Sequence, residues 1–294
     1  MSSKCFLCPR NCGVNRGGGE LGFCRCGEDP VVARAAPHFG EEPCISGDMG
    51  SGTVFFSGCN MHCVFCQNRK ISLMGHGREI TVSRLAEIFS ELEQTGVHNL
   101  NLVTPTHFTD KIVEALKIAM PQIPVVWNSS AYESVETLKT LEGFIQIYMP
   151  DLKYTSAAAS LRYSDAKDYP SVAKAAILEM YRQRGGCETD SEGLLKSGVL
   201  IRHLVLPERL DDAFDVIDWV AESFPKNAVL FSLMSQFVPF ADKVKFPELS
   251  RSISREEFDR IQSYLSLSRI ESGYIQELCS ATDELIPNFD LTGV

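Results

Sequence analysis

Nine of the eleven cysteines in this 294-residue chain fall before residue 67. They stand at 5, 8, 12, 24, 26, 44, 59, 63 and 66, and only Cys187 and Cys279 follow. A disulfide scaffold distributes its cysteines through a small secreted chain that lacks a large core. Here the total is odd, some spacings are as short as C-x2-C, and the cysteine-poor remainder is long enough to bury a core of its own. The opening Met-Ser-Ser-Lys-Cys-Phe has no apolar signal-type segment. Reduced thiolates that ligate metal in the cytoplasm are therefore expected.

Charge narrows the partners. The chain has 38 Asp and Glu against 28 Lys and Arg, a formal net charge of −10. That balance lacks the overall basic footprint of a nucleic-acid binder and disfavours an anionic membrane surface. No run approaches the roughly 18 apolar residues that a membrane span needs. No nucleic-acid or membrane partner is expected.

Residues 1–50 are rich in Cys, Gly and Pro and read as a loop-dominated metal-binding segment, with a short strand over Val31–Ala36. Residues 51–294 read as a second unit. Thr53–Phe56 is a buried strand, and Val82–Gln94 has the apolar spacing of an amphipathic helix. Strands then follow at 99–103, 125–127, 144–149, 198–206 and 228–233. Helices are expected at 110–120, 134–140, 157–183, 211–223 and 254–265, before a short segment at 273–277. Such alternation predicts parallel βαβ units. Six units suit an α/β fold in the form of a partial (βα)6 TIM-like barrel better than a full eight-stranded one.

Cys59, Cys63 and Cys66 form a C-x3-C-x2-C loop directly after the first of these strands. Structural zinc sites use four ligands, and ferredoxin clusters use four cysteines. Three thiolates in eight residues fit a [4Fe–4S] cluster with one iron left open for a substrate or cofactor. His62 lies inside the loop and is expected to face outward. Phe65 suits an apolar wall beside the cluster.

This loop after the first strand of a six-unit βα chain resembles the radical S-adenosylmethionine (SAM) superfamily. Gly50-Ser-Gly-Thr-Val-Phe-Phe-Ser-Gly-Cys, Cys66-Gln67-Asn68, Thr104-Pro105-Thr106-His107, Arg202-His203-Leu204-Val205-Leu206-Pro207 and the terminal Ile286-Pro-Asn-Phe-Asp-Leu-Thr-Gly-Val resemble its pyruvate formate-lyase activating enzyme-like branch. The likeness covers essentially the whole chain. It implies that the three cysteines hold three irons and that the fourth chelates SAM. One electron then cleaves the sulfonium, and a 5′-deoxyadenosyl radical abstracts hydrogen from a substrate. That substrate is a glycyl-radical enzyme or, alternatively, a small molecule or peptide. The electron donor implied is a flavodoxin or ferredoxin. A non-enzymatic iron–sulfur or zinc redox protein is the remaining alternative, and the incomplete ligand set argues against it.

The resemblance also implies roles for strand ends. The superfamily's Gly-Gly-Glu-type motif after the second strand is replaced here by Thr104, Thr106 and His107, whose hydroxyls and backbone carbonyls can receive the SAM ammonium. Asp151 and Lys153 resemble an Asp-x-Lys that holds the SAM carboxylate, with Asn128 on the preceding strand. Gln236 stands where it can contact the ribose or adenine. Arg202 and His203 are neighbours on one strand and point to opposite faces, so one of them can face the site. Tyr274 and Gln276 share a face of the last segment as possible substrate-side residues.

Cys5, Cys8, Cys12 and Cys24 make a second four-thiolate set, with Cys26 as an alternative fourth member. It suits a structural zinc or an auxiliary iron–sulfur cluster. Gly17–Gly22 satisfies GxGxxG literally, but it lacks the flanking strand and helix a dinucleotide site requires. His38–Cys44 matches half of a zinc-deaminase motif and lacks the second half. Cys44, Cys187 and Cys279 are expected to be ordinary buried thiols.

Overall fold

The structure, a computed structural model, describes residues 4–276, 278 and 286–294. Cys279 and Glu277 lie outside the described residues. One sheet contains β1 (Val31–His38), β2 (Ser51–Phe56), β3 (Arg78–Glu79), β4 (Leu100–Val103), β5 (Val125–Ser129), β6 (Ile147–Pro150), β7 (Glu188–Thr189), β8 (Leu195–Leu204), β9 (Leu230–Met234) and β10 (Gly273–Ile275). Its order is β10-β9-β8-β6-β5-β4-β2-β1-β3, with β7 paired to β8. The strands from β2 to β10 along that order are parallel, whereas β1 is antiparallel to β2 and β3. This is an α/β fold with a mostly parallel sheet. β1, on the N-terminal side of the expected division at residue 50, pairs along its length with β2 on the other side. The chain end joins the same edge, where the Ala35 N–H donates to Thr292 O and the Leu291 N–H to Ala33 O.

The helices are α1 (Pro43–Ser46), α2 (Arg69–Ser72), α3 (Val82–Gln94), α4 (Thr109–Ala119), α5 (Val135–Lys139), α6 (Ala157–Ser164), α7 (Tyr169–Arg184), α8 (Leu210–Ser223) and α9 (Arg255–Leu267). Local chemistry explains their ends. Thr81 caps α3 by accepting from Arg84 N–H, and Leu85, Ile88, Phe89 and Leu92 form its buried stripe. Ser254 and Glu257 cap α9 reciprocally. The single helix expected over 157–183 is two helices. Asp165 takes a left-handed conformation that short polar side chains tolerate, and Pro170 restarts the helix in its first turn.

Residue parity divides the sheet. Val54, Phe56, Leu100, Leu102, Trp127, Tyr148, Ile201 and Leu233 enter the main core with the helices. Their neighbours Val126, Ile147, Met149 and Leu200 point to the other face and pack against Cys44 and Ile45 of α1. The β1–β2 connection therefore folds back under β5, β6 and β8. Asn99 Nδ2 donates to Ile45 O at 2.7 Å, and Asn101 Nδ2 donates to Glu41 Oε1 at 2.9 Å, which ties the connection to the β4 region.

Candidate active site

A cavity of about 210 Å³ opens on this second face. Parallel strands aim their C-terminal ends at one place, and binding residues collect there. Cys59, Cys63 and Cys66 reach the cavity from the loop after β2, and Thr104 and Thr106 from the turn after β4. Asn128 enters from the end of β5, Asp151 and Lys153 from beyond β6, Arg202 from β8 and Gln236 from beyond β9.

Strand parity distinguishes Arg202 from His203. Arg202 faces the cavity, whereas His203 is buried on the helix side with its Nδ1 2.7 Å from Leu152 O. His107 does not line this cavity. The 3₁₀ turn Thr106–Phe108 carries its ring to the opposite side of the loop. There its Nε2 lies 2.8 Å from Ser57 O, and burial holds its pKa down to about 4. Gln276 also reaches the cavity, whereas Tyr274 packs with Cys44 and Ile45 beneath it.

The charged groups form a connected network. Arg202 donates from Nε to Asp151 at 2.9 Å, from Nη1 to Glu41 at 2.9 Å and from Nη2 to Asn128 Oδ1 at 2.8 Å. Lys153 Nζ donates to the other Asp151 oxygen at 2.7 Å. Burial works against the Asp151 carboxylate, but the charges of Arg202 and Lys153 prevail and hold its pKa below the ordinary value. Burial likewise opposes the Lys153 ammonium, and Asp151 outweighs it, so the lysine stays charged. The Tyr169 hydroxyl fixes the turn by donating to Asp151 O and receiving Lys153 N–H.

Thr104 is a β-branched residue at φ 59°, a costly conformation held by its N–H bond to Asn128 O. Thr106 Oγ1 donates to Glu133 at 2.7 Å, and Trp127 Nε1 donates to the same carboxylate oxygen at 3.0 Å. The sequence reading missed Glu133 and also Glu41 and Glu42, which line the cavity from the β1–β2 connection. Two adjacent acids before Pro43 and an apolar Cys-Ile pair were the available signal for the latter.

The cysteine loop has thiol chemistry suited to iron. Burial raises the pKa of Cys59, and the charges of Cys63 and Cys66 raise it further. Burial raises Cys63 as well, opposed by Lys153. Three neighbouring thiolates repel one another in a low dielectric, and a bound cationic metal centre relieves that repulsion. Phe65 is buried in the cavity wall, edge-on to Phe237. His62 is turned away and stacks on Phe23 with ring centroids 4.0 Å apart.

Behind the loop lies the N-terminal segment. Cys5, Cys8, Cys12 and Cys24 line a second, small cavity together with His107. Cys26 does not line it, and its thiol lies 3.3 Å from Ser57 O. Burial pushes the Cys8 thiol up to about 12, and the three other cysteines of the set add to that. The thiols of the two cavities are not closed into cages, and among the described residues no group of three or more His, Cys, Asp or Glu is arranged to hold a metal ion. Arg10 fastens the segment to the cysteine loop, with Nε donating to Asn60 O at 2.8 Å and its guanidinium over the Phe23 ring.

Comparison with known proteins fits this geometry. The Radical SAM superfamily model matches residues 53–164. Uncharacterized protein MJ0674 of Methanocaldococcus jannaschii is 32% identical over 266 residues, which span 87% of this chain and 72% of that protein. The chain belongs to the radical SAM superfamily. Membership implies a [4Fe–4S] cluster and SAM. Streptococcus suis SuiB, solved with and without SAM, shares the fold of this radical SAM protein. Each structure gives a TM-score of 0.50 at 12% identity and covers 76% of this chain. The chain spans about half the length of SuiB, 49% in both comparisons. Among the described residues, no helix of the radical SAM protein is long and apolar enough to cross a membrane.

Proposed function

We propose that the chain is a radical SAM enzyme in which Cys59, Cys63 and Cys66 hold the [4Fe–4S] cluster. The observation that carries this reading is that all three thiols of one loop line the same cavity as the Asp151–Lys153 pair. A cluster bound there would supply the one-electron reduction by which bound SAM is cleaved for hydrogen abstraction from a substrate.

The chain's own residues bind and orient. Lys153 has three N–H donors and spends one on Asp151, so it retains donors for the SAM carboxylate. Thr104, Thr106 and the adjoining carbonyls receive its ammonium. Asn128 keeps the cofactor side of β5 polar, and Gln236 serves the nucleoside. Arg202 has committed three N–H groups to Glu41, Asp151 and Asn128, and acts mainly by holding those groups in place. Phe65 and Phe237 exclude water from the reacting centre.

The likeness to pyruvate formate-lyase activating enzyme-like proteins favours a protein substrate that acquires a glycyl radical, with a flavodoxin or ferredoxin as electron donor. The sheet is read as a partial (βα)6 barrel, and the N-terminal thiols as a zinc or auxiliary-cluster site. The test is direct. After anaerobic reconstitution, SAM and a strong reductant should yield 5′-deoxyadenosine, and replacing Cys59, Cys63 or Cys66 by Ala should abolish it. An intact cluster that gives no product sinks the enzyme reading.

A further inference from the structure

Glu42 is only 3% exposed, yet it lines the cavity, and neither of its carboxylate oxygens has a close hydrogen-bond partner among the described residues; the Ser232 hydroxyl beside it is a weak donor that leaves the carboxylate's charge unmatched. The other charged groups around it are matched. Arg202 serves Asp151, Glu41 and Asn128, and Lys153 serves Asp151. The nearest Arg202 nitrogen stops 3.8 Å from Glu42, beyond a hydrogen bond. Three carboxylates, Glu41, Glu42 and Asp151, thus face two cations, and Glu42 is the one left over. Burial raises its pKa, with Arg202 opposing, because a lone buried carboxylate is costly. Other acceptors of the cavity are unpartnered too. The side-chain oxygens of Gln236 and Gln276 line the same cavity without a partner.

We propose that Glu42 anchors a substrate subsite for a protonated amine or guanidinium. This inference rests on the radical SAM reading and adds a substrate class to it. A cationic nitrogen supplies both missing features: a charge to match the leftover carboxylate, and N–H donors for its free oxygens. Glu42 and the cysteines reach the cavity from different elements. Glu42 immediately precedes α1, which packs against β5, β6 and β8, whereas the cysteine loop follows β2, four places from β8 in the sheet. A substrate held there shares the cavity with the residues assigned to the cofactor.

SAM itself carries an ammonium, so the test separates the two. Reconstituted protein is titrated by calorimetry with agmatine and 1,5-diaminopentane, and with 1,5-pentanediol as the neutral counterpart, first without SAM and then in its presence. The wild type should prefer the cations by about tenfold or more, the worth of a charged hydrogen bond. Glu42→Gln should lose that preference and keep its SAM affinity. Equal binding of cation and diol, no binding of either cation at millimolar concentration, or an unchanged preference in the variant overturns the proposal. So does a selective loss of SAM affinity in Glu42→Gln, which would assign the carboxylate to the cofactor. The wild-type comparison of cation with diol needs no variant to fold. Failure of SAM to bind the wild type counts against the radical reading alone, because the amine preference is read on the same sample without SAM.

Discussion

Arg202 and Glu41, separated by 161 residues in sequence, meet at 2.9 Å in the floor of the cavity. Through this pair the β1–β2 connection is locked to β8. The guanidinium also holds Asp151 and Asn128, so one side chain fixes three walls of the site. Arg202→Met leaves Glu41 and Asp151 buried beside no arginine. Removing one partner of such a pair costs about 3 kcal/mol or more. Urea unfolding of the variant should show a matching loss. Arg202→Lys should recover only part of it, because an ammonium cannot reproduce the planar fork.

Glu133 gives the fold a pH dependence with a definite sign. It is 1% exposed, and only one of its oxygens has partners among the described residues. Burial raises its pKa, against the hydrogen bonds from Thr106 and Trp127 and the weaker one from Ser129. The unfolded carboxyl titrates near about 4.3. Between that value and the higher folded one, the native state binds more protons than the unfolded state. The contribution of Glu133 to stability is therefore fullest below about 4.3 and is lost as pH rises through the folded pKa. Glu133→Gln cannot ionise. The urea midpoints of wild type and variant should converge in acid and separate in favour of the variant as pH rises.

The alternation of strands and helices was legible because apolar runs and turn residues are local signals. Asn128, Asp151 and Arg202 were legible for a related reason, since each follows or ends an apolar strand. Which of Arg202 and His203 faces inward was not, because parity needs one residue of known direction, and Met149 and Leu200 supply it only once packed on α1. Glu41 and Glu42 were hidden because their burial depends on the connection folding beneath strands that come much later in the chain. In sequence they resemble any solvated acidic pair. His107 was misassigned for want of one local angle, as the turn after β4 rotates it away from Thr104 and Thr106.

Gly58 links the two cysteine regions. It stands at φ 79°, where a side chain is strained, and a Cβ there would meet the Cys26 sulfur and come within 2.7 Å of Cys24 O. Backbone cannot yield as a flexible side chain does. Gly58→Ala should destabilise the protein by at least the 1–3 kcal/mol or so of a strained conformation. It should also loosen the N-terminal segment first. Limited proteolysis should release fragments cut between residues 5 and 30 before the remainder unfolds, and a variant cut no faster than wild type would contradict this.

The fourth thiol of the N-terminal set can be identified by metal content. Cys24 lines the small cavity with Cys5, Cys8 and Cys12, whereas Cys26 turns toward Ser57 O under the cysteine loop. If four thiolates hold one metal centre there, they should be the first four of these. Cys24→Ser should then lose the metal of that site while the catalytic cluster remains. Cys26→Ser should keep both, with a loss limited to a weak thiol hydrogen bond and its packing. Elemental analysis of iron and zinc per chain reads the site directly. A Cys26→Ser protein that loses this metal while Cys24→Ser retains it would reverse the assignment. If purified wild type carries no metal beyond the catalytic cluster, the four thiols are structural neighbours only.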